Sequence, residues 1–458
     1  MIKQQKFNDQ DQVFESTQEK KELYGEVFTP YILIEMMLNS IPIKHFTNKN
    51  NIWLDIGAGT GYYSIYLYYK LFENLKKSFF SEEECKKHII KNMLYMVEIQ
   101  ETNVMKLRKL FGEDANIIFD DYLNYSPKFK PDFIIGNPPF NGCGIKKVPT
   151  NTNLNKKLDG KTIWTDFIKK SVTLLKENTG ILCVIIPSIW MKPDKENMYN
   201  FLTQYQLTNI HCFSNTETNK IFKGNGQTPC CYFSLQKKKS NQTITIYDKS
   251  ISKYIELKIT GQKPIPVFAQ SVIKKMQKYL YVGTIPIIKT NMPSSKTNFS
   301  LQKTKWFPHS NISSCILNNN KCELVINYSN FQCSYANSPK LILAHKMYGF
   351  PYLDEKGEYG ISNRDNYVIL ADDIHTIDKL KIIQKFLSTK TSLFLFEGTR
   401  YRMKYLEKYI FELIPNIIFL PNFPQVINDD TIAEFFNFDD REKKAIDIFH
   451  KNEYHFFV

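Results

Sequence analysis

The chain has 458 residues, long enough for two domains, and 43% of them are hydrophobic, which excludes an intrinsically disordered protein. Its 60 Lys and Arg against 46 Asp and Glu give a net charge of +14, which favours a polyanionic partner such as nucleic acid or simply keeps the protein soluble. Nine cysteines without a CxxC pair, a polar N-terminus and no apolar run of ~20 residues argue against disulfides, a zinc site, a signal peptide and a membrane span, so we expect an intracellular protein.

Helices and strands alternate along the first half of the sequence. The apolar run after Thr29-Pro30, a common helix start, predicts a helix over 31–39. Strands are predicted over 52–56, 94–99, 116–119, 132–135 and 181–186, and helices over 62–78, from 100 to about 110, and over 164–177. This alternation predicts a parallel sheet with helices on both faces.

The pattern changes after about residue 206. Short strands are predicted over 208–213, 228–236 and 242–248, scattered β-like runs over 251–370, and helix again over 375–413. We therefore expect a first domain over 1–245 and a mixed, basic second domain over 246–458.

The sequence GNPPF, Gly136–Phe140, directly follows the predicted strand 132–135. Its two prolines remove two amide donors and stiffen the turn, which fixes the direction of the Pro138 carbonyl. That carbonyl and the side-chain oxygen of Asn137 can both accept from one NH2 group, which would localise the nitrogen lone pair and make the amine a better nucleophile. Phe140 can stack on a planar base. The structural alternative is a strand-ending turn with a buried phenylalanine.

A glycine-rich turn, DIGAGTG at Asp55–Gly61, lies between a predicted strand and a predicted helix, as a cofactor-binding turn requires. Glycines let the backbone approach a ligand closely. The carboxylate of Asp55 suits the ammonium or amide region of an amino-acid-bearing cofactor better than a pyrophosphate. An ordinary tight turn is the structural alternative.

Two further carboxylates end predicted strands. Glu98 can accept from both hydroxyls of a ribose, although it lies about twice as far from the glycine turn as usual; we attribute the excess to an inserted helix over 71–91. Asp121 can accept from the amino group of an adenine, with Tyr122 beside that ring, and Asp120 is an equal candidate. Exposed carboxylates at strand ends are the alternative in each case.

The ordered set GEVFTP, DIGAGTG, VEI, DYL and GNPPF resembles the gamma class of DNA amino-methyltransferases, the group typified by the Taq adenine enzyme. The resemblance covers about residues 22–236 and, more loosely, 340–416. It implies an α/β fold: a Rossmann-like domain dependent on S-adenosyl-L-methionine, with a mixed seven-stranded sheet, over 1–245. An α+β target recognition domain that binds double-stranded DNA would follow over 246–458. The implied reaction is methyl transfer to the exocyclic 6-amino group of a flipped-out adenine in a specific sequence, without a metal ion.

Carried over residue by residue, the resemblance implies three sets of site residues. Those that bind the cofactor are Thr29, Asp55, Gly57, Gly59, Glu98, Ile99, Asp121 and Tyr122. Those that hold the target adenine are Asn137, Pro138, Pro139 and Phe140. Phe222 matches the second aromatic that faces the flipped base, and a core aromatic is an equally weighted alternative. For Thr29 the alternative is a cap of the helix 31–39.

Basic residues in two regions are expected to lie near phosphates, with a solvated surface as the alternative. The loop 141–163 carries Lys146, Lys147, Lys156 and Lys157. The second domain carries Lys340, Lys346, Tyr348, Arg364, Arg400, Arg402 and Lys404, some of which would contact phosphates or base edges.

Four other functions remain open. They are methylation of adenine in RNA, amino methylation of cytosine in DNA, methylation of protein glutamine, and nucleic-acid binding on a decayed methyltransferase fold. The second domain and the net charge of +14 favour DNA, and the intact GNPPF and DIGAGTG argue against decay. Because the sequence shows no nuclease motif, DNA cleavage would require a separate restriction endonuclease.

Overall fold

The computed structural model describes residues 27–142, 161–193, 196–259, 261–318, 321–344, 351–402 and 406–449. The chain divides into two compact units. The first runs to Tyr247 and also includes Glu256–Thr260, and the second consists of Asp248–Ile255 and the chain from Gly261 onwards. In the described part of the chain, no helix has the length and apolarity needed to cross a membrane.

The first unit alternates helices and strands along the chain. Its helices are α1 (Tyr31–Asn39), α2 (Tyr62–Leu75), α3 (Glu82–His88), α4 (Glu101–Phe111), α5 (Trp164–Leu174), α6 (Met198–Thr203) and α7 (Asn215–Ile221). Its strands are β1 (Trp53–Asp55), β2 (Leu94–Glu98), β3 (Asn116–Phe119), β4 (Phe133–Gly136), β5 (Ile181–Pro187), β6 (Tyr205–Phe213), β7 (Cys230–Lys239), β8 (Thr243–Asp248) and β9 (Lys253–Lys258). The predicted helix 31–39 is confirmed, as are the five strands predicted between residues 52 and 186.

These strands form one sheet with the order β3-β2-β1-β4-β5-β7-β6-β8-β9. Neighbours from β3 to β5 are parallel, and β7 runs antiparallel to both β5 and β6. The sheet is therefore mixed, as predicted, but the expected number of seven strands was wrong. Strands β8 and β9 continue it beyond β6, where Ile210 pairs with Ile246 in parallel. Strand β8 alternates buried and half-buried residues, the pattern of a strand with one covered face, and can therefore extend the sheet.

Aromatic packing holds the middle of the sheet together. Every residue of β4 and β5 is buried, which explains their uninterrupted apolar sequences. Trp53 on β1 stacks on its register partner Phe133 on β4, with 3.9 Å between ring centroids. Phe46 stacks on the other side of Trp53 at 4.9 Å. This packing keeps β1 and β4 adjacent, so the glycine turn and the Asn-Pro-Pro-Phe turn that follow them are neighbours.

The excess length before β2 contains a helix, as predicted. Helix α3 begins after Ser81, whose side chain accepts from the backbone N–H of Glu84, and three glutamates occupy its first turn. A π-helical turn, Ile89–Met93, then leads directly into β2. The insertion therefore lengthens the chain between the glycine turn and Glu98 but leaves Glu98 at the end of β2.

The second unit combines two small sheets with helices. Its strands are β10 (Ile288–Lys289), β11 (Phe299–Ser300), β12 (His309–Asn318), β13 (Lys321–Ser329), β14 (Lys340–Ala344), β15 (Tyr352–Asp354), β16 (Gly360–Ile361) and β17 (Asn366–Leu370). Its helices are α8 (Gln270–Met276), α9 (Ile377–Leu387), α10 (Lys390–Glu397), α11 (Asp429–Phe435) and α12 (Asp440–Phe449). One sheet has the order β10-β17-β14-β15 and the other β11-β13-β12-β16.

The prediction of helix over 375–413 was wrong for the last part of that range. The chain is helical in α9 and α10, and Lys408–Glu412 forms only a short 3-10 turn. In this stretch Ile410, Phe411, Leu413 and Ile414 are all buried. Lys408 is exposed, so these apolar residues follow a polar position at a spacing that a helix and a short turn share, and the spacing alone does not distinguish the two.

Lys340 is an internal cation and not a phosphate contact, which corrects the expectation for this residue. Its side chain is fully buried, and Nζ lies 2.7 Å from Oδ2 of Asp354. Nζ also donates to the carbonyls of Ser338 at 3.0 Å and Tyr359 at 2.6 Å. Burial lowers the pKa of Lys340, and Asp354 opposes that shift. All three donor positions of the ammonium are thereby used inside the unit.

We expect Lys340→Met to lower the free energy of unfolding by roughly 3–5 kcal/mol, because it leaves the Asp354 carboxylate buried without its cation. Chemical denaturation of the full chain, followed through the transition of the second unit, measures this loss. Lys356→Met is the matched control: this lysine is exposed two residues after Asp354, and its replacement should change stability by less than about 0.5 kcal/mol. Equal stabilities of the two variants would contradict the assignment of Lys340 as a structural cation.

Candidate active site

A cavity of about 410 Å³ lies in the first unit, at the carboxyl ends of β1, β2, β3 and β4. Ligands of α/β sheets bind at this edge, because the loops that leave parallel strands meet there. Of the predicted site residues, Thr29, Asp55, Gly57, Gly59, Glu98, Ile99, Asp121, Tyr122, Asn137 and Pro139 line the cavity. The structure thus brings together residues that are more than a hundred positions apart in the sequence.

Glu98 connects the loops after β1 and β2. Its Oε2 accepts from the N–H of Gly59 at 2.7 Å, and its Oε1 accepts from the N–H of Gln100 at 2.8 Å. The side-chain amide of Asn103 donates to Oε1 at 3.5 Å. The carboxylate therefore holds the glycine turn against the end of β2.

Asp55 is fully buried at the start of the glycine turn. Its Oδ2 accepts from the hydroxyl of Ser64 at 2.7 Å, and its Oδ1 accepts from the N–H of Gly57 at 3.4 Å. Burial raises the pKa of Asp55 from 3.8 to about 7, against the opposing effect of these two hydrogen bonds. A carboxylate with this pKa gains most from a ligand that brings a positive charge, because the ligand would supply the counter-charge that the site lacks.

Asn137 is held in one orientation by the segment before α1. Its Nδ2 donates to the Val27 carbonyl at 3.4 Å and to Oγ1 of Thr29 at 3.2 Å. A carbonyl can only accept, so the NH2 group must face Val27 and Oδ1 must face the other way. Within the described ranges, Oδ1 accepts no hydrogen bond. The asparagine therefore presents a free acceptor at a cavity wall.

Gly136 allows this placement of Asn137. Its φ is +145°, and a Cβ there would lie 3.1 Å from Cγ1 of Ile56 and 3.5 Å from Oδ1 of Asp55. Any larger residue would be strained in this conformation and would push β4 away from the glycine turn. The glycine before Asn-Pro-Pro-Phe therefore keeps the asparagine close to the buried carboxylate.

Thr29 does not cap α1, so that alternative was wrong. The residue before the helix is Pro30, and no side chain caps its first turn. The buried hydroxyl of Thr29 instead accepts from Asn137 while its side chain lines the cavity. Thr29 is therefore a hydrogen-bond partner of Asn137, which its sequence context did not reveal.

Tyr122 is buried in the wall of the cavity. Its ring stacks on Phe167 with 5.3 Å between centroids, and its hydroxyl lies 2.8 Å from Oγ of Ser171. Burial raises the pKa of Tyr122. Asp121 and Asp120 both line the cavity, and Oδ1 of Asp121 accepts from the N–H of Leu123 at 2.9 Å, which forms a local turn. Both aspartates remain candidates for the adenine amino group.

The two predicted base-stacking rings differ in their surroundings. Phe140 is half-buried and packs against the core of the first unit at the end of the Asn-Pro-Pro-Phe turn, and Pro138 before it is buried. Phe222 is only 4% exposed and is a member of the core cluster. Of the two interpretations of Phe222, the structure favours the core aromatic, because a ring without exposed surface cannot stack on a base unless the core opens.

Several wall residues were not predicted. Val27 and Gln100 were missed because they contribute backbone groups, which carry no side-chain signal. Ser64, which does not line the cavity but donates to Asp55, lies in the first turn of α2 without a motif. Thr60, inside DIGAGTG, lines the cavity with a buried hydroxyl that has no hydrogen-bond partner in the described structure. Such an orphaned polar atom in a cavity wall fits a polar ligand.

The structure describes only some of the residues that were predicted to contact phosphates. Lys146, Lys147, Lys156, Lys157, Lys346, Tyr348 and Lys404 lie outside the described residues. In the second unit, Arg400 pairs with Glu397 at 2.9 Å and Arg402 with Glu407 at 3.5 Å, so a phosphate would have to share these guanidinium groups. Arg364 is exposed. Among the described residues, no group of three or more His, Cys, Asp and Glu side chains could hold a metal ion.

A protein-family model matches the segment that carries the cavity. The family model of the Eco57I restriction-modification methylase matches residues 36–222. The matched segment is therefore similar to that family. It contains the glycine turn, Glu98, Asp121 and the Asn-Pro-Pro-Phe turn, whereas Val27 and Thr29 precede it.

Individual relatives match over shorter or weaker stretches. The type II methyltransferase M.AccI of Acinetobacter calcoaceticus is 36% identical over 107 residues, which cover 21% of this chain and 19% of that protein. The DNA complex of the type IIL restriction-modification enzyme MmeI has a TM-score of 0.47 at 11% identity and covers 87% of this chain and 69% of that chain. A type I restriction-modification methyltransferase subunit from Streptococcus thermophilus has a TM-score of 0.35 at 14% identity and covers 56% and 53%. The gamma class remains a prediction.

The pKa of Asp55 predicts a pH dependence of stability. A raised pKa means that the folded protein binds the proton more tightly than the unfolded chain, so ionisation costs stability as the pH rises from about 4 to about 7. We expect Asp55→Asn to gain stability relative to the wild type over this range and the difference to be constant above about pH 7. Chemical denaturation at a series of pH values measures it. A difference that does not vary with pH would contradict the assignment.

Proposed function

We propose that this protein transfers a methyl group from S-adenosyl-L-methionine to the exocyclic 6-amino group of an adenine that is flipped out of double-stranded DNA. The observation that carries the proposal is the orientation of Asn137: its NH2 group faces Val27 and Thr29, and its Oδ1 accepts nothing in the described structure. An amide oxygen held in this way at a cavity wall is suited to accept from an amine.

The cavity residues fit the proposed cofactor. Asp55 would meet the ammonium group of the methionine part, because its buried carboxylate lacks a counter-charge. Glu98, in the cavity wall at the end of β2, would accept from the ribose hydroxyls, and Asp121 or Asp120 would accept from the adenine amino group. The two glycines of the turn, with Ile99 and Tyr122 on the wall, shape the remaining space. When bound, S-adenosyl-L-methionine supplies an electrophilic methyl group on a sulfonium.

The protein's part in the reaction is to hold the target amine. Oδ1 of Asn137 and the carbonyl of Pro138 would each accept one hydrogen of the NH2 group. These bonds would localise the nitrogen lone pair, so that the amine could accept a methyl group without prior deprotonation and release its surplus proton to solvent afterwards. Pro138 and Pro139 stiffen the turn that sets the direction of both acceptors. Orientation of two reacting groups in this way supplies a large part of an enzyme's rate acceleration.

Base binding would use the ring of Phe140. Extruding an adenine from a duplex costs a few kcal/mol, and stacking on an aromatic ring returns about 1–3 kcal/mol. Phe222 is not included in this role because its ring is buried in the core. The second unit, residues 248–255 and 261–458, would recognise the DNA sequence around the target.

The decisive experiment incubates the protein with tritiated S-adenosyl-L-methionine and either unmethylated genomic DNA or structured RNA, followed by nucleoside analysis. Label in 6-methyladenine from DNA is the expected result. Label in N4-methylcytosine would identify cytosine as the substrate, and label found only in RNA would identify an RNA methyltransferase. Label in protein would point to a protein amide as the substrate. Absence of cofactor binding by calorimetry would contradict a methyltransferase of any kind.

Asn137→Ala should lower kcat by about 10²–10³-fold, since it removes an acceptor that acts on the reacting amine. Cofactor affinity, measured by calorimetry, should stay within about twofold, because the residue contacts the target and not the cofactor in this mechanism. Near-normal turnover with intact cofactor binding would rule out the mechanism.

Thr29→Val should lower kcat by about tenfold, because the loss of one hydrogen bond of roughly 0.5–1.5 kcal/mol lets Asn137 rotate away from the amine. Thr29→Ser keeps the hydroxyl and should restore most of the rate, which separates positioning from a packing effect. If the valine variant instead weakens cofactor binding and leaves kcat unchanged, Thr29 acts on the cofactor alone.

A further inference from the structure

The second unit contains a long stretch without acidic residues. Between Glu256 and Glu323 the sequence has ten lysines and no Asp or Glu. Some lysines of the protein are paired with acids, as Lys340 is with Asp354 and, within this stretch, Lys275 with Glu442. Lys296, Lys303 and Lys305 are exposed and form no ion pair with any described residue. These three lysines therefore carry positive charge that no described acid neutralises.

Large apolar side chains are exposed in the same stretch. Leu301 is 86% exposed and Trp306 71% exposed, and both lie in the connection between β11 and β12. Phe331, just past the end of β13, is 57% exposed. Single exposed apolar residues are common, but a tryptophan and a leucine five positions apart with two lysines between them are not explained by folding.

The connection between β11 and β12 is held at its base. Phe299 at its start and His309 at its end both pair with Ser329 of β13, one on each side of that strand. The N–H of Asn298 also donates to the side-chain oxygen of Asn330 at 2.8 Å. The connection therefore leaves and returns to the same point of the sheet and projects as a single unit.

A tight turn fixes the tip of this connection. Thr304 and Phe307 form a β-bridge, in which the N–H of Phe307 donates to the Thr304 carbonyl at 3.1 Å. The Thr304 hydroxyl accepts from the N–H groups of Trp306 at 3.3 Å and Phe307 at 3.2 Å. Lys305 and Trp306 are the two residues at the tip, with Nζ of Lys305 5.2 Å from the Trp306 ring centroid. The turn thus holds a cation and an aromatic ring outward together.

We infer that the connection between β11 and β12, with Lys303, Lys305 and Trp306, is a DNA contact of the second unit. Lys303 and Lys305 bind phosphates of the backbone, and the Trp306 ring packs against sugar or base at a groove edge. Phosphate contacts from lysine dominate the affinity of DNA-binding proteins, and aromatic rings that pack on bases tolerate any sequence. The inference rests on the proposed function for its choice of DNA, since unpaired lysines beside an exposed tryptophan would also suit an anionic membrane.

The four tryptophans provide a direct test. Trp53 and Trp190 are fully buried and Trp164 is 4% exposed, so Trp306 at 71% is the one that a quencher in solution reaches. A short duplex of random sequence should protect the fluorescence of the full-length protein from acrylamide. The Trp306→Phe variant should show little quenching with or without DNA. Binding is followed independently by the anisotropy of a dye-labelled duplex.

Charge variants test the phosphate contacts. The double variant Lys303→Gln/Lys305→Gln should reduce the slope of log K against log salt by about 2, measured between about 50 and 200 mM salt. The matched control is Lys443→Gln/Lys444→Gln, two exposed lysines on α12 among Asp439, Asp440 and Glu442, which removes the same charge from the same unit. Its slope should stay within error of the wild type.

The outcomes separate this inference from the proposed function. Protection of Trp306 by DNA with a reduced slope supports the contact, even if no methyl group is transferred to DNA. Duplex binding that leaves Trp306 open to acrylamide overturns it, even if methylation proceeds. It is also overturned if the wild type binds no duplex, or if only anionic phospholipid vesicles or higher protein concentrations protect the ring. Equal slopes for the two double variants would remove Lys303 and Lys305 from the contact.

Discussion

The parallel arrangement of β3, β2, β1, β4 and β5 is the constraint on which the site depends. Because their carboxyl ends share one edge of the sheet, the residues that follow each strand converge there. The stacked rings of Trp53 and Phe133 fix the central pair of strands in register. Glu98 then bonds the loops after β1 and β2 together. The cavity is a consequence of the sheet order, and its wall is built from short segments that the strands position.

Two buried carboxylates determine which kind of ligand the cavity favours. Asp55 and Glu98 are nearly inaccessible to water, and each accepts hydrogen bonds from neighbouring N–H or hydroxyl groups. Burying a carboxylate without a counter-charge costs free energy, which the raised pKa of Asp55 expresses. Such a site is stabilised by a ligand that carries a positive charge and hydroxyl groups. A cofactor with an ammonium, a sulfonium and a ribose has both.

The second unit contains both a buried, paired lysine and exposed lysines without an acidic partner among the described residues. Lys340 is enclosed and paired with Asp354, whereas Lys303 and Lys305 stand on a turn that has no acid near it in the sequence. The first arrangement stabilises the fold, because the pair and its surrounding carbonyls satisfy one another. The second leaves positive charge unbalanced, which has no structural benefit and favours a polyanion. Position in the fold, more than residue type, therefore separates structural lysines from those available to a partner.

The sequence alone determined the alternation of elements, since hydrophobic runs, glycines and prolines act locally, and it placed the glycine turn, Glu98 and Asn137 at strand ends. It did not determine the number of strands in the sheet, because β8 joins through a long-range contact between Ile210 and Ile246. It could not separate a cap from a hydrogen-bond partner for Thr29, or a core ring from a stacking ring for Phe222. Those distinctions depend on what lies beside a side chain in space. Only the tertiary structure brings Thr29 within 3.2 Å of Asn137, and only burial shows that Lys340 is internal.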